Sequence, residues 1–206
     1  IKGNSITDES VIRSEMILDE GDPFTNLSLE KSMSNIKSRN IFNTVNYVIK
    51  PGSSNDLKII DVLVEEKPTG EISAGAGIGT SGGTLAFSIK ENNWLGEGKS
   101  VAFEAEIDEE SITGVLRFNN PNYDLLGNSL NYSLSSQSND KPDQGYENTV
   151  IGASIGTSFE QYKNIRASLG ISANYDDLRT QDSASDALKK QSGSFSDISG
   201  NYGFSY

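Results

Sequence analysis

The chain has 206 residues, 34% of them hydrophobic, and 29 acidic against 17 basic groups give a net charge of −12. That charge repels phosphate backbones and sets aside nucleic acid as a partner, while no apolar run approaches the roughly 20 residues that a membrane-crossing helix needs. Cysteine and histidine are both absent, which removes disulfides, thiolate and imidazole metal sites, and every Ser-His-Asp or Cys-His arrangement. No cofactor and no catalytic residue is expected.

The sequence opens on Ile1 in mid-pattern, without a charged and apolar leader, and reads as a fragment. After Gly3-Asn4-Ser5, Thr7 is the expected N-cap of a helix over residues 8–18, with Asp8 and Glu9 at its positive end. Gly21-Asp22-Pro23 breaks the chain, and a second helix over residues 27–39 places Leu29, Met33 and Ile36 on one face. Two alternating strands follow at residues 45–50 and 57–65, joined by a Gly-, Ser- and Asn-rich turn over residues 51–56. The order β-α-α-β-β, with most of the first strand missing, predicts an α+β domain over residues 1–67 in which two helices cover one face of a small sheet. Its strand Val45, Asn46, Tyr47, Val48, Ile49 is an exposed edge on which an extended peptide could dock.

From residue 71 the helical period gives way to strict alternation in eight segments of about ten residues, the length with which a tilted strand crosses a bilayer. Residues 68–206 are therefore expected to form an antiparallel transmembrane β-barrel meander of about eight strands, a partial barrel. Ile72, Ala74, Ala76 and Ile78 alternate with Ser73, Gly75, Gly77 and Gly79, and Val101, Phe103, Ala105 and Ile107 oppose Glu104 and Glu106. The hairpin that follows is expected to pair Ile107 with Ile112, which turns Glu104 and Glu106 into the lumen beside Arg117. Connections at residues 92–99, 120–127 and 160–163 fall on one side of the membrane, and those at 80–83, 108–111, 137–147 and 177–193 on the other. Trp94, Tyr123, Tyr162 and Tyr206 all belong to the first side, where an aromatic girdle would sit.

Two local patterns are set aside. Residues 77–82 match G-x-G-x-x-G, but a strand follows rather than a helix, so no helix N-terminus would face a pyrophosphate. Asp108-Glu109-Glu110 could attract Ca²⁺, yet a solvated hairpin tip is the preferred reading. A soluble sandwich or lipocalin-like barrel also alternates, but the polar face here is small and rich in Ser, Gly and Asn, which suits a wet lumen.

Ile1-Lys2-Gly3-Asn4, Val11-Ile12-Arg13-Ser14-Glu15, Glu20-Gly21-Asp22-Pro23-Phe24 and Ile41-Phe42-Asn43-Thr44-Val45 resemble the motif succession of a POTRA domain in the BamA/Omp85 family. Glu65-Glu66-Lys67-Pro68-Thr69-Gly70 is similar to that family's junction into the barrel, and Asn93-Trp94-Leu95-Gly96 and Asn120-Pro121-Asn122-Tyr123 resemble its first two periplasmic turns. Asn40 stands where glycine is common, a departure from the pattern. The resemblance covers the last POTRA domain and the first half of the barrel. It implies a Gram-negative outer-membrane location, with residues 1–67 in the periplasm. It also implies a role in folding and inserting nascent outer-membrane β-barrel proteins, with partners among assembly-complex lipoproteins, the lipid bilayer and lipopolysaccharide. Other Omp85 relatives export autotransporters or secreted proteins, and a passive channel is a further alternative.

The site implied is the first barrel strand: Glu71, Ile72, Ser73, Ala74, Gly75, Ala76, Gly77, Ile78, Gly79. Three glycines and small apolar residues pack weakly and leave backbone donors and acceptors available to an incoming strand. Barrel curvature is the competing reason for the glycines.

Overall fold

A computed structural model describes residues 1–54, 56–79, 82–124 and 126–206. Residues 80 and 81, which belong to the expected 80–83 connection and to the glycine-rich pattern, lie outside the described residues, as do Asn55 and Leu125 within two other expected turns. The described chain divides into two compact units, Ile1–Gly70 with Glu91–Lys99, and Glu71–Lys90 with Ser100–Tyr206.

In the first unit α1 (Glu9–Arg13) and α2 (Asn26–Ser38) accompany the antiparallel pair β1 (Phe42–Pro51) and β2 (Lys58–Glu66). α2 starts one residue before the expected position, where the Thr25 hydroxyl accepts the Ser28 N–H at 3.1 Å. Leu29, Met33 and Ile36 line its inner face and meet Ile12, Ile41, Val45, Val62 and Val64 in one core. Ser32 is buried beside them without penalty, because its hydroxyl donates to Ser28 O and accepts from Ile17 N, both at 2.8 Å.

α1 is much shorter than the expected helix over residues 8–18. Beyond Arg13 the N–H groups of Glu15 and Met16 make only tight turns back to Ile12 O and Arg13 O, and two backbone groups turn to α2: Asn35 Nδ2 donates to Glu15 O at 3.2 Å, and Ile17 N to Ser32 Oγ. Nor is Thr7 the N-cap. Asp8 holds that position without a side-chain bond, while Thr7 is buried and its hydroxyl is engaged elsewhere. What stands for the first strand is a single parallel bridge, Lys2 to Leu63, with Lys2 N donating to Val62 O and Val64 N to Lys2 O, each at 2.9 Å. Gly3 follows at φ +95°, and a Cβ there would meet Val64 O at 1.9 Å, so only glycine lets the chain leave this bridge.

The second unit contains the eight-stranded sheet of β3 (Gly70–Gly79), β4 (Gly82–Trp94), β5 (Lys99–Asp108), β6 (Ser111–Asn120), β7 (Ser129–Lys141), β8 (Tyr146–Tyr162), β9 (Ile165–Thr180) and β10 (Gly193–Ser205). The strands neighbour one another in sequence order, with β3 and β10 at the two ends, so the barrel is open. The register pairs Ile107 with Ile112, as the alternation predicted.

Pairing across β5–β10 aligns the two faces. Leu116, Leu134, Ala153, Ala173 and Ile198 stand opposite one another in a continuous row, and the next row adds Phe118, Tyr132, Ile155 and Ile171. The Phe118 and Tyr132 rings approach to 5.8 Å between centroids. Most of these large side chains are exposed, and an apolar area of that extent persists only where lipid covers it. On the reverse face Glu104 pairs with Arg117, and Ser129 with Ser158 and Ser133 with Ser154 share hydroxyl bonds of 2.7 Å, a ladder suited to a wet lumen. No helix among the described residues is long and apolar enough to cross a membrane.

Several strands outrun the expected ten residues, β8 reaching 17 and β9 reaching 16. The loop expected over residues 137–147 shrinks to residues 142–145, and that over 177–193 to residues 181–192, which include a short helix, α3 (Asp186–Lys189). The polar strand ends look like loop because hydrophobic alternation ceases there. They remain sheet because polar pairs continue the ladder: Asn139 Nδ2 donates to Asn148 Oδ1 at 2.7 Å, and Asn148 Nδ2 to Asp176 Oδ1 at 3.2 Å.

Candidate functional site

β3 is the terminal strand of the sheet, hydrogen-bonded to β4 on one side only. Every residue of it is exposed, Ile72 to 73% and Ile78 to 95%. A Cβ added at Gly75, Gly77 or Gly79 would meet nothing within 4 Å, so no close approach demands glycine at these positions. Ser73 Oγ and Ser88 Oγ, 2.7 Å apart, form a side-chain tie across to β4. On the polar face a groove of about 400 Å³ opens beside Ser73, Gly75, Ser88, Glu104, Glu106 and Thr113. At Gly75, Gly77 and Gly79 no side chain contributes to the strand's attachment, and there the main chain dominates its chemistry.

The entry to β3 is held firmly. Thr69 O accepts both the backbone N and the Nδ2 of Asn92 at 3.2 Å, and the Thr69 hydroxyl donates to Glu91. Three residues before Thr69, Glu66 accepts Thr7 N at 2.6 Å, Ser5 N and Ile6 N at 3.0 Å, and the Ser5 hydroxyl at 2.7 Å. Burial alone would raise the Glu66 pKa. The hydrogen bonds from Ser5 and Thr7 outweigh it and hold the carboxyl at about 2, against an ordinary value of 4.5.

A depressed carboxylate pKa contributes stability that is complete above the unfolded value and is lost as pH falls through the folded one. The first unit should thus weaken between about pH 4.5 and 2. Glu66→Gln should remove on the order of 2 kcal/mol at neutral pH and flatten this acid dependence, as read by urea unfolding followed at several pH values. An unchanged profile would show that the loop over residues 5–7 is held by other contacts.

The turn over residues 93–98, which the sequence marks as a connection without giving Asn93 a role, belongs to the first unit. Asn93 is 7% exposed; its Nδ2 donates to Thr7 Oγ1 at 2.9 Å and its Oδ1 accepts Gly98 N at 2.7 Å. Asp8 N donates to Gly96 O at 2.8 Å, and the Arg39 guanidinium to Gly98 O. Arg39 Nε also lies 3.5 Å from Glu15. Burial pushes the Arg39 pKa down and the Glu15 pKa up, each opposed by the charge of the other. An asparagine followed at three and five residues by glycine is the signal that could have marked Asn93 as the residue that closes this turn.

Of the other expected positions, β1 has β2 on one side, and the Lys2 bridge lies on the far side of β2, so β1 is an edge among the described residues. Val45 is buried, whereas Asn46, Tyr47, Val48 and Ile49 are exposed. The Asp61 carboxylate on β2 takes Lys50 Nζ at 2.5 Å and Lys2 Nζ at 3.2 Å, bonds that lower its pKa. Tyr123, Tyr162 and Tyr206 lie at or beyond the C-terminal ends of β6, β8 and β10, which share one end of the sheet, and Trp94 closes β4. All four are exposed.

An α+β domain leading into an open antiparallel sheet with one apolar and one wet face defines an outer-membrane protein of the POTRA and β-barrel type. Residues 93–206 match the family described as "Omp85 superfamily domain", and residues 1–67 match "POTRA: Surface antigen variable number repeat". The chain belongs to the Omp85 superfamily. It is 25% identical over 201 residues to the outer membrane protein assembly factor BamA of Neisseria meningitidis serogroup B, which covers 92% of this chain and 25% of that protein. The chain thus spans about a quarter of that relative's length. The crystal structure of BamA from Haemophilus ducreyi lacking POTRA domains 1-3 superposes with a TM-score of 0.80 at 22% identity, covering 98% of this chain and 42% of that one. CdiB from Acinetobacter baumannii shares the fold at a TM-score of 0.63 and 11% identity, over 97% of this chain and 41% of that one. The protein resides in the outer membrane of a Gram-negative bacterium, its POTRA domain in the periplasm.

Proposed function

We propose that the protein is an outer-membrane assembly factor that folds and inserts other β-barrel proteins by strand addition at β3. In this reading residues 1–67 form the POTRA domain and residues 68–206 the N-terminal half of the barrel. The observation that carries it is the free edge of β3, exposed throughout, with its glycines facing open space. Main-chain hydrogen bonding can extend such an edge without a sequence-specific pocket, which suits clients that share strand geometry rather than sequence. The β1 edge, Val45–Ile49 in sequence, would receive nascent chains or assembly-complex lipoproteins by the same chemistry. Trp94, Tyr123, Tyr162 and Tyr206 would form the periplasmic girdle against lipid and lipopolysaccharide.

The test places single cysteines along residues 71–79 of the complete protein and seeks disulfides to the last strand of a stalled client; native cysteine is absent. Crosslinks with a period of two residues are expected. Gly75→Val with Gly77→Val, which meets no steric obstacle, should leave the barrel inserted yet impair assembly of other outer-membrane proteins. Unimpaired assembly together with absent crosslinks would favour export of secreted proteins, the alternative that the CdiB likeness keeps in view.

A further inference from the structure

The sequence of β3 leaves a second register on β4 open. Ala74-Gly75-Ala76-Gly77 repeats with a period of two residues. A slip of one residue would turn Ile72 and Ile78 into the wet lumen. A slip of two instead puts Ala76 in place of Ala74 and Gly77 in place of Gly75, and keeps both faces correct. Ile72 and Ile78 are exposed, so such a slip takes little packing from them.

Contacts that would not survive that slip lie at the strand's entry. Thr69 O accepts both Asn92 N and Asn92 Nδ2 at 3.2 Å, and Glu91 Oε1 accepts the Thr69 hydroxyl and, at 2.8 Å, Asn93 N. A Cβ on Gly70 would stand 3.2 Å from Glu91 Oε2, so the carboxylate lies against the first residue of β3. Both flanks of this clamp are anchored in the first unit. Lys67 N donates to Ile41 O at 3.3 Å and Lys67 Nζ to Asn40 Oδ1 at 2.7 Å, while Asn93 Nδ2 donates to Thr7 Oγ1. Ser73, four residues on from Thr69, meets Ser88, four residues back from Asn92, so the clamp and the serine tie belong to one antiparallel register.

We propose that Glu91 and Asn92 are positioning residues: their clamp on Thr69 fixes the register of β3 and so sets the height at which an incoming strand joins its free edge. The second half rests on strand addition at β3. A two-residue slip would move the edge by about 6.8 Å along the strand and leave its donors and acceptors in the same alternation. A partner would still pair, but displaced, and displacement changes the stagger on which barrel closure depends. A strand that offers its main chain to others is held at its entry, which leaves the rest of the edge open.

The test uses the complete protein with pairs of cysteines. Ser73→Cys with Ser88→Cys reads the observed register, and Ser73→Cys with Ala86→Cys or with Lys90→Cys reads a slip of two in either direction. Opposite residues come within disulfide reach, whereas diagonal ones do not. With the clamp intact the first pair should oxidise. Glu91→Ala with Asn92→Ala should shift the ratio towards an offset pair about tenfold or more, the effect of two lost hydrogen bonds. Glu91→Gln, which keeps an acceptor for Thr69, should hold the first pair. Heat-shifted gel mobility identifies folded barrels, and Asn92→Ala alone, which keeps the backbone bond, supplies the reading if the double variant does not fold. Client crosslinks along residues 71–79 should move by two residues with the offset. Oxidation confined to the first pair in every folded variant would overturn the proposal and assign the register to the connection after Gly79. An offset disulfide with client crosslinks unmoved would overturn its second half. Absence of client crosslinks with the clamp intact would count against strand addition itself, while the internal pairs still decide the register.

Discussion

Truncating Ile36 to alanine is expected to unfold the POTRA domain under conditions that leave the sheet intact. Ile36 is fully buried on the inner face of α2, against the core shared with Ile12, Ile41 and Val64. Removing such a side chain costs about 2–5 kcal/mol through lost transfer energy and the cavity left behind. A domain of this size has only about 5 kcal/mol or somewhat more in total. Limited proteolysis should then cut within residues 1–70 while the barrel strands stay protected. A protease pattern matching the parent would mean that neighbouring side chains collapse into the cavity.

Gly96→Val should have a comparable effect by a different route. Gly96 holds φ +78°, a region that a β-branched residue rarely enters, and an added Cβ would stand 2.1 Å from Ile6 O. Backbone cannot yield by that amount without breaking the Asp8 N to Gly96 O bond and with it the Asn93 to Thr7 contact. The half-buried Arg39 guanidinium would then lose Gly98 O and face Glu15 alone, so a loss of about 3 kcal/mol or more is anticipated. Hydrogen exchange should show amides of residues 5–12 and 93–98 opening together. If those amides kept their protection, the turn would be an ornament of the unit rather than part of it. Gly21→Ala, at another positive φ but with nothing within 4 Å, serves as a control for backbone strain alone.

Much of the architecture was legible because β-barrel strands carry period-two alternation on a scale of ten residues, and the register of β5 with β6 followed from matching two apolar rows. The expected bounds failed where polarity masked structure. β7, β8 and β9 continue past their apolar segments because asparagine, serine and aspartate pairs sustain the ladder, and such pairs have no hydropathy signature. α1 failed for the opposite reason. Residues 14–18 keep a helical period, but Ser32 and Asn35 on α2 capture the backbone groups that a longer helix would have used.

The candidate edge was visible as a run of small residues and glycines at residues 71–79. That β3 ends the sheet follows from the pairing order, and that its glycines face empty space follows from the tertiary structure alone. Thr7 shows the limit most clearly. Its position before a helix predicts a cap, yet it lies buried and bonds to a residue 86 positions away. Local sequence, by itself, determined the α+β start, the number of strands, the two faces of the sheet and the absence of thiol and imidazole chemistry, because each depends on neighbours within a few residues. Only the tertiary structure decided where Glu66, Asn93 and Arg39 find their partners, because those depend on contacts between segments that no sequence period relates.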